Sequence, residues 1–158
     1  MKRTVWVVVA LLVMSALVLA ACGGANNSGG ATNSGGGTSG GSGLKRQSPP
    51  ADFSSLTNPF QGKADAVTAG KQVFTDNCET CHGADAKGDG PAGASLNPKP
   101  ADLTLTVKET NAAYMHWVVT VGGGVAGLSS AMPSFKGVLT DDQIWQAVTY
   151  LRSTYGGQ

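Results

Sequence analysis

Cys78-Glu79-Thr80-Cys81-His82-Gly83, CETCHG, packs two thiols and an imidazole into five consecutive residues. A disulfide between Cys78 and Cys81 suits an exported chain, but it gives His82 nothing to do. A zinc site needs about four ligands. This stretch supplies at most Cys78, Cys81 and His82, the only other histidine is His116, and no second cysteine pair exists. A thioredoxin-like redox pair belongs in a βαβ context, and the chain carries no strand pattern of any length.

Cys-x-x-Cys-His is the pattern of covalent c-type haem attachment. The reason is geometric. Two thiols three residues apart can add to the two vinyl groups of a haem. The next residue then aims its imidazole at the iron from the same side of the ring. The spacing therefore predicts Cys78 and Cys81 as covalent attachment points for one haem c, with His82 as an axial ligand.

Working outward, the residues around this hexapeptide read as helices. The first pattern spans Ala64 to Asn77, with Val67, Gly70, Val73 and Phe74 on one face. The second spans Asn111 to Val121 and ends in Gly122-Gly123-Gly124, as glycine past a helix terminus commonly does. The third opens on Thr140-Asp141-Asp142-Gln143, which fits a capping box. Its two aspartates sit at the positive end of the helix dipole, and Ile144, Trp145, Val148 and Leu151 recur at helical spacing. The alternation Leu103-Thr104-Leu105-Thr106-Val107 is too short for a strand and follows Pro98 and Pro100. The expected fold is all-α with long glycine- and proline-bearing loops. About 99 foldable residues, from 60 to 158, carry few large apolar side chains. So small a core is marginal unless another body fills it, and a haem would.

With these pieces placed, residues 64–156 resemble a bacterial class I cytochrome c. The stretch AGKQVFTDNCETCHGADAKGDGPAG, residues 69–93, resembles the family's first helix, haem site and following loop. AMPSFKGVLTDDQIWQAVTYLRS, residues 131–153, resembles its distal-ligand loop and last helix. The resemblance implies three main helices around one covalent haem, and His/Met ligation by His82 and Met132. A thioether stabilises ferrous iron and raises the potential relative to a second imidazole. Met115 and His116 compete for the distal role, but both lie inside an apolar helical pattern that fits core or helix surface better. The resemblance also implies a helix crossing at Gly70 and Phe74 on the first helix, against Ala147 and Tyr150 on the last. It implies that the second nitrogen of His82 donates to a proline carbonyl, with Pro91, Pro98 and Pro100 as candidates. Tyr114, Trp117 and Trp145 fit haem-wall positions and ordinary core equally well.

Toward the N-terminus, Lys2 and Arg3 precede an uncharged, apolar run from Val5 to Ala21. This reads as a secretory signal over residues 1–21. Leu19-Ala20-Ala21-Cys22 resembles the lipobox of bacterial lipoproteins, which implies Cys22 as the lipidated first residue of the mature chain. Residues 23–43 contain no charge and no large apolar side chain, so they read as a Gly/Ser coil spanning roughly 25 Å. Pro49, Pro50 and Pro59 suggest a stiffer continuation. Residues 22–59 are thus expected to be a tether and 60–158 the haem domain. Removing Lys2 and Arg3 leaves nine basic side chains against ten acidic ones, which argues against nucleic acid.

The expected function is one-electron transfer without enzymatic activity, on the extracytoplasmic face of a bacterial membrane to which the lipid anchors the chain. The expected redox partners are a quinol-oxidising complex or another cytochrome as donor, and a terminal oxidase or photosynthetic reaction centre as acceptor. A fixed subunit of such a complex is the alternative. A haem peroxidase or gas sensor with a displaceable Met132 is the alternative of another class.

Overall fold

The computed structural model describes residues 45–156. The expected signal segment 1–21, Cys22 and most of the expected tether lie outside the described residues. Among the described residues six helices follow in order: α1 (Ala51–Ser54), α2 (Ala64–Asn77), α3 (Glu79–His82), α4 (Leu103–Glu109), α5 (Ala112–Val121) and α6 (Asp141–Tyr155). Among the described residues there is no strand, only one isolated bridge between Lys136 and Leu139. The fold is all-α, as the sequence pattern indicates.

The main packing joins α2 to α6, and α4 and α5 pack on α6 as well. The two long helices cross at Gly70, whose backbone lies directly against the Gln146 carbonyl, with Tyr150 Cβ only 3.0 Å from where a Cβ of residue 70 would stand. A glycine inside a helix costs about 1 kcal/mol relative to alanine, and this close approach is what requires it. One turn on, the Phe74 and Tyr150 rings meet at 5.6 Å with planes inclined by 48°. Ala147 is buried on the same helix, next to Gln146. The crossing expected at Gly70, Phe74, Ala147 and Tyr150 is therefore formed.

Caps fix the helix starts. In α6 the capping box is complete: Gln143 N–H donates to Thr140 Oγ1 at 3.2 Å and Thr140 N–H to Gln143 Oε1 at 2.9 Å. The Asn111 side chain accepts from Tyr114 N–H at 2.8 Å and starts α5. The alternating run 103–107 proves to be a helix, α4. Asp102 caps it by accepting from Thr104 N–H at 2.9 Å, and Thr106 Oγ1 donates back to the Asp102 carbonyl. Arg152 on α6 donates to the Val107 and Thr110 carbonyls at 3.1 and 2.9 Å. Those bonds satisfy carbonyls that a short helix otherwise leaves unpaired. Tertiary contact thus overrides the strand preference of Thr and Val.

The stretch 45–59, expected to continue the tether, lies on the domain. Gln47 N–H donates to the Ala126 carbonyl at 2.9 Å. Phe53, on α1, packs against an apolar cluster of α5. Asn58 Nδ2 donates to the buried Thr149 Oγ1 at 2.9 Å. Three separated anchor points make this a docked segment rather than a free one.

Candidate functional site

The site begins where α2 ends. Cys78 closes α2, its N–H donating to the Phe74 carbonyl at 2.8 Å. The single turn α3 follows at once, with Cys81 N–H and His82 N–H both donating to the Cys78 carbonyl at 3.1 and 2.9 Å. Cys78, Cys81 and His82 are therefore held in one tight turn. The returning loop then covers its carbonyls: Ala92, Gly90 and Gly88 N–H donate to Thr80, Cys81 and His82 in turn, at 2.9, 3.2 and 2.8 Å. This wrap leaves the side chains of the turn as its free chemistry.

The sulfurs of Cys78 and Cys81 are not bonded to each other. Burial, with a smaller contribution from Cys81, pushes the Cys78 thiol up to about 11. A raised thiol opposes the thiolate form that a redox pair uses. His82 Nδ1 lies 3.0 Å from the Ala101 carbonyl. An N–H must sit on that nitrogen to make the bond, which leaves Nε2 as a lone-pair donor. Burial holds the imidazole below its usual range, the Ala101 bond opposing, which favours the neutral ring that can ligate a metal. The partner is Ala101, not a proline: the chain reaches His82 one residue beyond Pro100. A backbone carbonyl carries no side-chain signature, so no residue type pointed to it.

Met132 sits on a loop returning from the end of α5. Gly123 N–H donates to the Met132 carbonyl at 3.0 Å, and Met132 N–H to Ser129 at 3.2 Å. Phe135 and Lys136 N–H then donate to Val119 and Thr120, both at 3.1 Å, and Ser134 Oγ adds a bond to Thr120 at 2.7 Å. These bonds take the last carbonyls of α5, which the helix itself cannot satisfy.

The apolar interior divides in two. One cluster joins Phe74, Val107, Met115, Val148, Tyr150 and Leu151, with Cys78 packed against it. The other joins Tyr114, Trp117, Val118 and Ala126, with Met132 packed against it. Each cluster thus bears a half-buried sulfur. Two unbonded thiols, an imidazole with one nitrogen committed, and a thioether on a separate apolar wall fit a covalently held, axially ligated haem.

The competing residues are otherwise engaged. Met115 is core. His116 is 1% exposed, its Nε2 lies 2.9 Å from Asp141 Oδ1, and its ring stacks on Trp145 at 4.0 Å. Burial chiefly holds His116 below its usual range, with Asp141 opposing. It joins α5 to the first turn of α6, a core role. Among the described residues no helix is long and apolar enough to cross a membrane.

Residues 65–151 match the family described as cytochrome c oxidase, cbb3-type, subunit III. The chain is 39% identical over 92 residues to the cbb3-type cytochrome c oxidase subunit FixP of Rhizobium meliloti, a match covering 58% of this chain and 29% of that protein. It is 41% identical over 88 residues to cytochrome c6 of Leptolyngbya boryana, covering 56% of this chain and 91% of that one. Among solved structures, cytochrome cL of Methylophaga aminisulfidivorans superposes with a TM-score of 0.50 at 23% identity, over 65% of this chain and 62% of that one. The chain spans less than a third of the length of the oxidase subunit it matches.

Proposed function

The chain belongs to the cytochrome c family of cbb3-type oxidase subunit III, and from that premise we propose that it is a membrane-tethered one-electron carrier with His82 and Met132 as axial ligands. The family's cofactor is a covalently bound haem c, of which this domain holds one, and it supplies the ferrous–ferric chemistry. The chain's own work is to hold, orient and insulate that centre. Cys78 and Cys81 provide the two thioether sulfurs. His82 Nε2 would be the nitrogen offered to the iron, while Ala101 fixes the ring and its tautomer through Nδ1. Such outer partners orient a metal-bound histidine and raise its basicity. Met132, packed against the second apolar cluster, would supply the thioether.

The observation that carries this reading is the Nδ1–Ala101 bond at a Cys-x-x-Cys-His turn. It commits one nitrogen and leaves the other for ligation. Cys22 is the lipid anchor, and the chain acts on the outer face of a bacterial membrane without catalysing a reaction of its own. Electrons arrive from a quinol-oxidising complex or another cytochrome and leave to an oxidase or a photosynthetic reaction centre. A cytochrome c6 relative fits a shuttle, and an oxidase-subunit relative fits a fixed position in a complex. Copurification with large membrane subunits after mild solubilisation would favour the fixed position.

The test is a redox titration with optical spectra on the mature, lipidated protein. The expected result is a low-spin haem that resists acidified organic solvent, with a methionine–iron charge-transfer band in the ferric state. Extractable pigment would overturn covalent attachment. A high-spin resting state with rapid carbon monoxide binding would favour the sensor or peroxidase alternative.

A further inference from the structure

We infer that residues 45–53 form a strap that positions the Met132 loop and thereby keeps the distal ligand in place. This rests on the reading of Met132 as ligand. The loop needs such support. Between α5 and Met132 the chain runs Gly122-Gly123-Gly124-Val125-Ala126-Gly127, and Val125 at its tip is 65% exposed. Glycines lose the most freedom on ordering, so contacts from outside the tip add to its order. Its own bonds are few: Leu128 N–H donates to Gly123 at 2.8 Å, and Ala126 and Gly127 N–H make longer bonds of 3.3 and 3.4 Å. Gly123 in turn donates to Met132. Whatever moves 123–128 therefore moves the ligand residue.

The strap meets that segment at several points. The Ala126 carbonyl accepts from Gln47 N–H at 2.9 Å, and Ala126 itself is fully covered. Gly127 has a φ of +71°, and its Cα faces the Lys45 carbonyl with Gln47 Cγ 2.8 Å from where a Cβ would stand. Strap and loop are thus in backbone-to-backbone contact. Arg46 spans the next turn outward: its guanidinium lies 5.6 Å above the Tyr114 ring and its Nη2 is 3.7 Å from Glu109 Oε2. Phe53 packs into the same cluster as Tyr114, Trp117, Val118 and Ala126, against which Met132 packs from its own side. Phe53 and Met132 therefore share one apolar body. Arg46 and Phe53 act as positioning residues, since neither needs to touch the cofactor. The strap also leads directly from the tether, so the segment that anchors the domain is the one that restrains its distal ligand.

The experiment compares the full-length holoprotein with the Arg46→Ala/Phe53→Ala variant. The probes are the methionine–iron band of the ferric form, the rate of carbon monoxide binding to the ferrous form, and hydrogen exchange at Gln47 and Leu128. We expect the double variant to bind carbon monoxide about tenfold faster, as loss of one cation–π contact and one apolar anchor shifts the loop toward its open population. Its band should weaken and its potential fall. Arg46→Lys/Phe53→Leu should recover most of the wild-type values, because it restores the cation over the Tyr114 ring and the apolar anchor; no recovery would count against the strap. An unchanged rate and band, with Gln47 exchange accelerated, would overturn the strap. If the double variant yields no holoprotein, exchange in the wild type decides: matched protection of Gln47 and Leu128 supports the strap, and a freely exchanging Gln47 beside a protected Leu128 refutes it. A wild type lacking the methionine band would sink the ligand reading instead, leaving the exchange comparison to judge the strap.

Discussion

Gly70→Ala tests whether the α2–α6 crossing is the foundation of the site. On helix propensity alone this change should stabilise the protein by about 1 kcal/mol. The structure predicts the reverse. An ordinary Cβ contact lies at 3.4–4 Å, and the Gln146 carbonyl is far closer than that to a Cβ at position 70. That carbonyl belongs to a helix backbone and cannot rotate aside. The helices would have to part by roughly 1 Å or more in a close-packed interior. Overpacking of this kind costs about 1–3 kcal/mol. Parting also weakens the Phe74–Tyr150 ring pair, worth about 0.5–1.5 kcal/mol. Weighed against the propensity gain, the net expectation is a loss of about 2 kcal/mol, or roughly 10 °C in Tm for a domain of this size. Because α2 runs straight into Cys78, its displacement should also lower the yield of haem-bearing protein. Thermal unfolding of the holoprotein by far-ultraviolet circular dichroism measures the first effect, and the ratio of haem absorbance to protein the second. A Tm equal to or above wild type would refute the close-crossing argument.

Three further outcomes follow from the same geometry. Met132→Ala should leave haem attached while lowering the midpoint potential and admitting carbon monoxide, since a thioether favours ferrous iron; an unchanged potential in the same optical titration would remove Met132 from the iron. Arg152→Ala should strand the Val107 and Thr110 carbonyls and cost about 1–3 kcal/mol, read by urea unfolding, with hydrogen exchange in α4 accelerated first. His116 is held below its usual range by burial, so the unfolded state takes up its proton at a higher pH than the folded state. Stability should therefore be full above the unfolded value of 6.5 and decline as pH falls below it. Urea midpoints at pH 7.5 and 5.5 should differ less in His116→Gln than in the wild type, and an equal difference would mean that another group dominates.

Features carried by side-chain type were legible in the sequence, and features carried by backbone or by distant contact were not. α2 and α6 announced themselves through periodicity, a capping box and Gly70 placed four residues before Phe74. The site turn was legible because thiol and imidazole are rare and their spacing is chemical. α4 was not, because Leu103-Thr104-Leu105-Thr106-Val107 has no helical preference of its own. Its helix depends on Asp102 at one end and on Arg152, 42 residues away from Thr110, at the other. Ala101 was invisible as the partner of His82 because it acts through a carbonyl that every residue possesses.

The docked segment 45–58 failed to show for a further reason, and that reason bears on how such chains are built. Its composition, with Pro49 and Pro50 and a single aromatic, matches a spacer. Its order comes from complementary features elsewhere: the Gly127 backbone that leaves room for Lys45, the Ala126 carbonyl awaiting a donor, and Thr149 buried opposite Asn58. None of these has meaning until the α5–α6 face exists. A spacer with no such receiving surface can vary freely in length and composition. One that docks cannot, because shifting it by a residue removes the Gln47 bond and withdraws Phe53 from its cluster together. Deleting a single residue within 48–52 should therefore disturb the domain and speed hydrogen exchange at Leu128, and exchange there equal to wild type would refute the docking argument.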